Sequence, residues 1–388
     1  MEASETAEEG CNFQLEHVLG ARAVVGGLCA LDGEIVYSAA TRVVIQNVAT
    51  RSQRFIEAGE ITAMTVNHSR NLIGVAEKGT GTVKFYDTAT LFCKRKLIQE
   101  SSSSNSDDVL HMSISKDSTR CLVLGGPPDY VLTMWDMERS TAFASIRLST
   151  ITKKEIVSAD VCPTNNTLVS IIGKKIIRMF HVTNKNGKFM PVKTNLKMES
   201  QNYSTQTWLA SSGELVVGTE TGSLVVMEDK ETKQLLIRSI IKLPLMFSND
   251  DCNDDDYKET EIVPSLNQST RCIDSLIPNS GSLFVDCCAW TPLVAIGGYD
   301  GVIRLFNYHT NQVVLTHRLD DRSCNLSFHP SGEYLLVSTP TTVRLCSVLA
   351  DTLNVSWQVE DLQQTPDLFL NENVSTLRAL ASVATRTR

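Results

Sequence analysis

Short apolar runs recur along this chain with one internal order of hydrophobic and polar positions. Aligned, they read VVIQN (43–47), VKFYD (83–87), LTMWD (132–136), IRMFH (177–181), LVVME (224–228), IRLFN (303–307) and VRLCS (343–347). Each is apolar at its first and third positions, usually bulky at the fourth, and ends at the fifth on a polar, turn-forming residue. Runs this short, bounded by turn residues, read as buried strands. A polar turn follows, as in DTAT, DMERS and NYHTN, and a glycine-containing segment such as GTG (79–81) or GGYDG (297–301) precedes most copies.

The fifth positions fall at 47, 87, 136, 181, 228, 307 and 347, so the intervals are 40, 49, 45, 47, 79 and 40. About 40–45 residues holding four short strands is the period of a propeller blade. The flanking sequence supplies the other strands. Upstream, ITAMTV, NHSR and NLIGVA between 61 and 76 give strand, turn and strand, as do CNLSF, HPSG and YLLVS between 324 and 338. Downstream, AFASIRL (142–148) and QVVLTHRL (312–319) supply the fourth. An isolated sheet with two apolar faces is unstable in water, whereas stacked blades bury both faces. Seven copies predict an all-β fold: a single seven-bladed propeller over 13–360, with polar loop insertions, an acidic N-terminal tail (1–12) and a C-terminal tail (361–388). Trp135, at a fourth position, is expected to be wedged between blades.

The runs resemble the WD repeat, whose strand ends in Trp-Asp. Trp135-Asp136 matches in full; Tyr86-Asp87, Phe306-Asn307 and Phe180-His181 are degenerate forms. FIEAGEITAMTVNHSRNLIGVAEKG (55–79), TPLVAIGGYDGVIRLFNYHT (291–310) and SFHPSGEYLLVSTPTTVRL (327–345) resemble the N-terminal propeller of the large cilia- and flagella-associated proteins of the axoneme. This resemblance implies a non-catalytic scaffold in the cytoskeleton of a cilium or flagellum. It would dock through propeller surfaces on doublet microtubules or dynein-associated complexes. The implied partners are axonemal proteins, with tubulin and dynein-associated components as candidates. Such relatives usually continue into a second propeller and coiled coils, whereas residues 361–388 show neither another blade nor sustained heptads. A general cytosolic WD-repeat adaptor is the alternative, and a propeller enzyme a further one.

Charge narrows the partners. With 36 Lys and Arg against 44 Asp and Glu, the net charge is −8, and the field of the whole protein attracts neither nucleic acid nor an acidic membrane. No window approaches 18 uninterrupted apolar residues, and MEASETAEEG is the reverse of a signal peptide. The eleven cysteines are scattered without a CxxC, which fits buried thiols. Positive charge concentrates once, in KKIIRMFHVTNKNGKFMPVKTNLK (174–197), which has no acid. Lys174, Lys175, Lys185, Lys188, Lys193 and Lys197 are candidates for a protein-contact patch, against the plainer reading of a solvated blade edge. KRK at 94–96 is too short to rank alone.

Two acidic-polar segments read as inserts: QESSSSNSDD (99–108) and SNDDCNDDDYKETE (248–261), the latter inside the long interval. Asp254, Asp255 and Asp256 lack the glycine turn and terminal glutamate of an EF-hand, so no metal is expected. Catalytic motifs and cofactor signatures are likewise missing. Gly125-Gly126 and Gly297-Gly298 precede strands, and His68, His181 and His329 read as turn or packing residues.

Overall fold

The computed structural model describes residues 14–19, 27–39, 41–98, 108–183, 187–194, 201–230, 234–242, 284–287, 291–298, 300–310, 312–319, 325–329, 331–339, 342–348, 353–358 and 380–384. Seven antiparallel sheets follow one another: blade 1 over 28–57, then 61–98, 109–147, 156–191, 203–242, 284–318 and 325–358. Among the described residues each blade contains a meander of four consecutive strands. Blade 5 gains a fifth strand, Lys193–Thr194, parallel to its outermost one.

The predicted third strands are present as Arg42–Asn47, Thr82–Asp87, Val131–Asp136, Ile176–Thr183, Ser223–Lys230, Val302–Asn307 and Val343–Val348. Two strands run longer than the motif: in blade 5 the strand continues two residues past Glu228 to Lys230, and in blade 4 it continues two residues past His181, so this histidine lies within the strand and the turn begins at Thr183. The following Gly187, at φ +58°, donates its N–H to the Thr183 carbonyl and closes the displaced turn. Outside the seven sheets, Gln14–Leu19 pairs antiparallel with Leu380–Ala384.

The repeat pattern assigns each side chain to a neighbour. Third-position residues Ile45, Phe85, Met134, Met179, Val226, Leu305 and Leu345 pack toward the following blade. Fourth-position Tyr86, Trp135, Phe180, Met227, Phe306 and Cys346 pack toward the preceding one. Successive strand residues point to opposite faces, so one motif serves two interfaces. The core is accordingly seven apolar clusters, each drawn from two adjacent blades, and the seventh joins blade 7 to blade 1. At that closing seam the fourth position is Gln46, whose Oε1 accepts from the fully buried Tyr37 hydroxyl at 2.8 Å and from Gln53 Nε2 at 3.1 Å.

The polar fifth position has a specific task. The Oδ1 atoms of Asn47, Asp87, Asp136 and Asn307 each accept two backbone N–H groups from the residues two and three positions on, at 2.9–3.1 Å. These turns mimic a backbone hydrogen bond with a side chain, which only a short carbonyl-bearing residue can do. The turn then passes through left-handed backbone at Arg51, Leu91 and Ser140, with φ of 59°, 59° and 54°.

Trp135 is 5% exposed and lies among Ala63, Ala76, Val83 and Val123, between blades 2 and 3. Replacing it with Ala is expected to destabilise the protein by about 3–5 kcal/mol through the cavity left at that interface. Urea unfolding measures this, and a loss below about 1 kcal/mol contradicts the wedge.

Candidate interaction surfaces

A meander of four strands places its first and third turns on one end of the blade and its second turn on the other. The ring therefore has an upper face, with the first-to-second and third-to-fourth turns, and a lower face, with the second-to-third turns and the links between blades. On the upper face neighbouring turns are tied together. Asn67 Nδ2 donates to Ser118 Oγ at 3.0 Å, Asn166 Nδ2 to Asp117 Oδ2 at 2.5 Å, and Ser211 Oγ meets Tyr308 Oη at 3.0 Å. His329 Nε2 lies 3.0 Å from the Leu31 carbonyl across the closing seam. Arg54 reaches from blade 1 to the Thr88 and Ala89 carbonyls of blade 2, each at 3.0 Å, while its other nitrogen holds Glu34. His329 is thus a bridging turn residue, and burial holds its pKa below the ordinary histidine value.

The lysines of the 174–197 run are not gathered at one place. Lys174 and Lys175 occupy the lower-face turn before Ile176–Thr183, and Lys188 follows that strand at the upper face. An eight-residue strand separates the two groups by about 26 Å, at ~3.3 Å per residue. Lys174, Lys175 and Lys188 are exposed. Lys193 stands in the short strand beside Gln234–Lys242, while Lys185 and Lys197 lie outside the described residues.

The lower-face lysines have company that the run did not show. Lys153 and Lys154 arrive on the link from blade 3 and are exposed, and Lys154 Nζ donates to the Lys175 carbonyl. Lys174 is paired with Glu155 at 2.8 Å. The Glu155 carbonyl accepts the Lys174 N–H at 2.9 Å, and a Cβ on Gly173 would stand only 2.0 Å from that oxygen. Glycine is therefore needed where the link presses on blade 4. The sequence signal for this grouping is the KK at 153–154, which precedes the repeat strand by some 20 residues of chain.

From blade 2 round to blade 1, the first strands of successive blades stand next to one another around the ring axis. Register aligns one position in all seven: Cys29, Thr65, Ser113, Asp160, Thr207, Asp286 and Ser327. Each lies opposite a second-strand residue that in turn faces the third position of the repeat. The result is a band of small polar side chains around the axis. Ser113 Oγ donates to Asp160 Oδ1, which also accepts the Val161 N–H at 2.8 Å. Asp286 Oδ2 accepts the Phe328 N–H at 2.7 Å across the blade 6–7 boundary. Next to this band Gln206 bridges blades 4 and 5, donating to Ser158 and accepting from Ser170 at 3.0 and 2.9 Å.

Both band carboxyls are shielded, and burial pushes each up to about 6, opposed by these hydrogen bonds; the charge of Asp286 adds to the rise at Asp160. His111, also on an inner strand, is driven down to about 4 by burial and is neutral at physiological pH. The segments 99–107 and 248–261 lie outside the described residues. Among the described residues no three His, Cys, Asp or Glu side chains are grouped to hold a metal ion, and no helix is long and apolar enough to cross a membrane.

Sheet order, interblade packing and the repeat define the chain as a WD-repeat β-propeller resembling those of the cilia- and flagella-associated proteins. It is similar to cilia- and flagella-associated protein 57 of Mus musculus, with 20% identity over 464 aligned positions that cover 88% of this chain and 36% of that protein. It is also similar to cilia- and flagella-associated protein 57 A of Tetrahymena thermophila, 29% identical over 69 residues, covering 18% of this chain and 5% of that protein. The chain thus spans about a third or less of the length of these relatives. No family model matches the chain.

An Asp whose folded pKa is raised contributes stability fully present below its unfolded value near 3.9, and that contribution is lost as pH rises through about 6. Asp160→Asn retains an oxygen to accept from Ser113 and Val161 but carries no charge. It is expected to be more stable than the wild type at pH 7.5 by about 1 kcal/mol, a value reduced for partial solvation of the ring axis, with the difference shrinking from pH 6 to pH 4. Urea midpoints at pH 7.5 and 4.5 test this; a pH-independent difference contradicts it.

Proposed function

We propose that this propeller is a non-catalytic structural module of a ciliary or flagellar assembly, docking on axonemal components through its blade surfaces. The observation that carries this reading is similarity to a cilia- and flagella-associated protein over 88% of the chain, far more than one blade. The form of the molecule supports it. A ring of short strands stitched at every blade boundary offers rigid faces that need little ordering when a partner binds, which lowers the entropic cost of association.

Within that reading, the contact includes Lys188 and Lys193 at the blade 4–5 rim, with Lys185 of the adjoining segment, meeting an acidic partner such as tubulin or a dynein-associated component. The rim position of Lys188 leaves its charge solvated, where it steers association and contributes little to folding.

The test is expression of the tagged full chain in ciliated cells, followed by detergent extraction of the axonemes across a salt series. The wild type is expected to remain with the axonemes and to be released progressively by salt, because exposed charge contacts are screened. The triple variant Lys185→Glu, Lys188→Glu, Lys193→Glu is expected to keep its melting temperature within a few degrees and to be released at lower salt. Complete recovery of the wild type in the detergent-soluble fraction would favour a cytosolic adaptor. Equal retention of both proteins at every ionic strength removes the lysines from the interface.

A further inference from the structure

The fourth strand of blade 2, Cys93–Ile98, is a sheet edge: its inner side pairs with Thr82–Asp87, and its sheet has no strand beyond it among the described residues. Several other outer strands have neighbours. Lys193–Thr194 covers that of blade 5, Gln14–Leu19 lies beside that of blade 1 (Gln53–Glu57), and those of blades 3 and 4 (Thr141–Arg147 and Lys188–Pro191) pack against each other.

The side chains along this edge are unusual for a free one. Phe92 and Ile98 are 75% and 62% exposed, and they are two of the four large apolar side chains exposed among the described residues. Between them run Cys93, Lys94, Arg95 and Lys96, and no acid occurs from 92 to 98. The register shifts at this point: Tyr86 faces Cys93 and Phe85 faces Arg95, so Lys94 is an extra, bulged residue. Leu97 turns inward and is buried, while Lys96 and Ile98 lie opposite Lys84 and Thr82. Lys94 is held by Asp87 and Lys84 by Glu77, the latter at 2.7 Å. Lys96 makes no ion pair among the described residues.

Lysines and bulges on an edge are a recognised guard against unwanted strand pairing. That role accounts for Lys94 and Lys96. It does not account for Phe92 and Ile98, which a guarded edge has no reason to present to water. The combination of open main-chain groups, two apolar side chains at the ends and cations between them matches a defined occupant.

We propose that the edge strand Cys93–Ile98 of blade 2 binds an extended acidic segment of a partner protein that also carries apolar residues, which joins the blade as a fifth strand. Phe92 and Ile98 cover the apolar side chains, and Lys94 and Lys96 face the carboxylates. The six residue steps from Phe92 to Ile98 span about 20 Å, which sets the occupant at roughly six to seven residues. The proposal stands apart from the ciliary reading, since it rests on the blade 2 edge alone.

Fluorescence anisotropy of the full chain with labelled synthetic peptides tests it. One peptide of about eight residues alternates Glu with Ile and Phe; a second replaces each Glu with Gln; a third is the first with alternate amides N-methylated, which removes main-chain donors. The protein variants are Phe92→Ser with Ile98→Ser, and Lys94→Ser with Lys96→Ser. All four positions are exposed, and unchanged thermal melts verify that the variants fold. The acidic peptide is expected to bind the wild type, with at least about a tenfold loss for either double variant, for the Gln peptide and for the N-methylated peptide. The proposal is overturned by no binding, by equal binding to both variants, or by undiminished binding of the N-methylated peptide. Sedimentation that shows self-association abolished by Ile98→Ser also overturns it, because the occupant would then be a second copy of this chain.

Discussion

Every blade of this protein is unstable alone, and the packing of each blade against its two neighbours is the constraint on which the remaining structure depends. The third and fourth positions of the repeat point in opposite directions around the ring, so each copy of the motif contributes to two interfaces at once. That geometry explains why both positions are buried in blade after blade, with Phe85 and Phe180 fully enclosed and Trp135 and Tyr86 nearly so. At the seam between blades 7 and 1, side-chain packing is joined by the Tyr37–Gln46–Gln53 hydrogen-bond network. Closure leaves only the short outer strands as edges.

The polar residues fall into place around this apolar frame. Carbonyl-bearing fifth positions fold the turns, and turn-to-turn hydrogen bonds such as Asn67 to Ser118 link neighbouring blades on the upper face. Around the axis, the register-aligned position of the inner strands is occupied by Cys, Thr, Ser and Asp. Two of these are carboxyls in surroundings that disfavour their charge, an arrangement that trades stability near neutral pH for hydrogen bonds across blade boundaries. At the rim and the two faces, charged side chains such as Lys153, Lys175 and Lys188 stand in water.

Much of the fold was legible because the repeat strand lies in the most buried part of every blade, where the pattern is least diluted by surface variation. The seven third strands, the bulky fourth position and the turn role of Asp87, Asp136 and Asn307 all follow from residues adjacent in sequence. The polar band did not, since its members are about 40 residues or more apart and become equivalent only through strand register. The lysine run shows the converse: residues contiguous in sequence are parted in space, because a strand crosses the blade from one face to the other between Lys174 and Lys188, while Lys154 comes to Lys175 from a blade link. In blade 4 the repeat pattern ended at His181 because the motif has five positions; the strand runs on to Thr183, where glycine at 187 permits the turn.

The central claim, that a continuous circle of interblade packing makes the seven blades one cooperative unit, is open to native-state hydrogen exchange. Amides of the second and third strands are the ones to follow in each blade. Closure predicts that those of blades 1 and 7 open with the same free energy as those of blades 3 and 4, within about 1 kcal/mol, because no blade is terminal. Amides of blades 1 and 7 opening several kcal/mol more easily than the rest would contradict it, and would describe a stack with two loose ends.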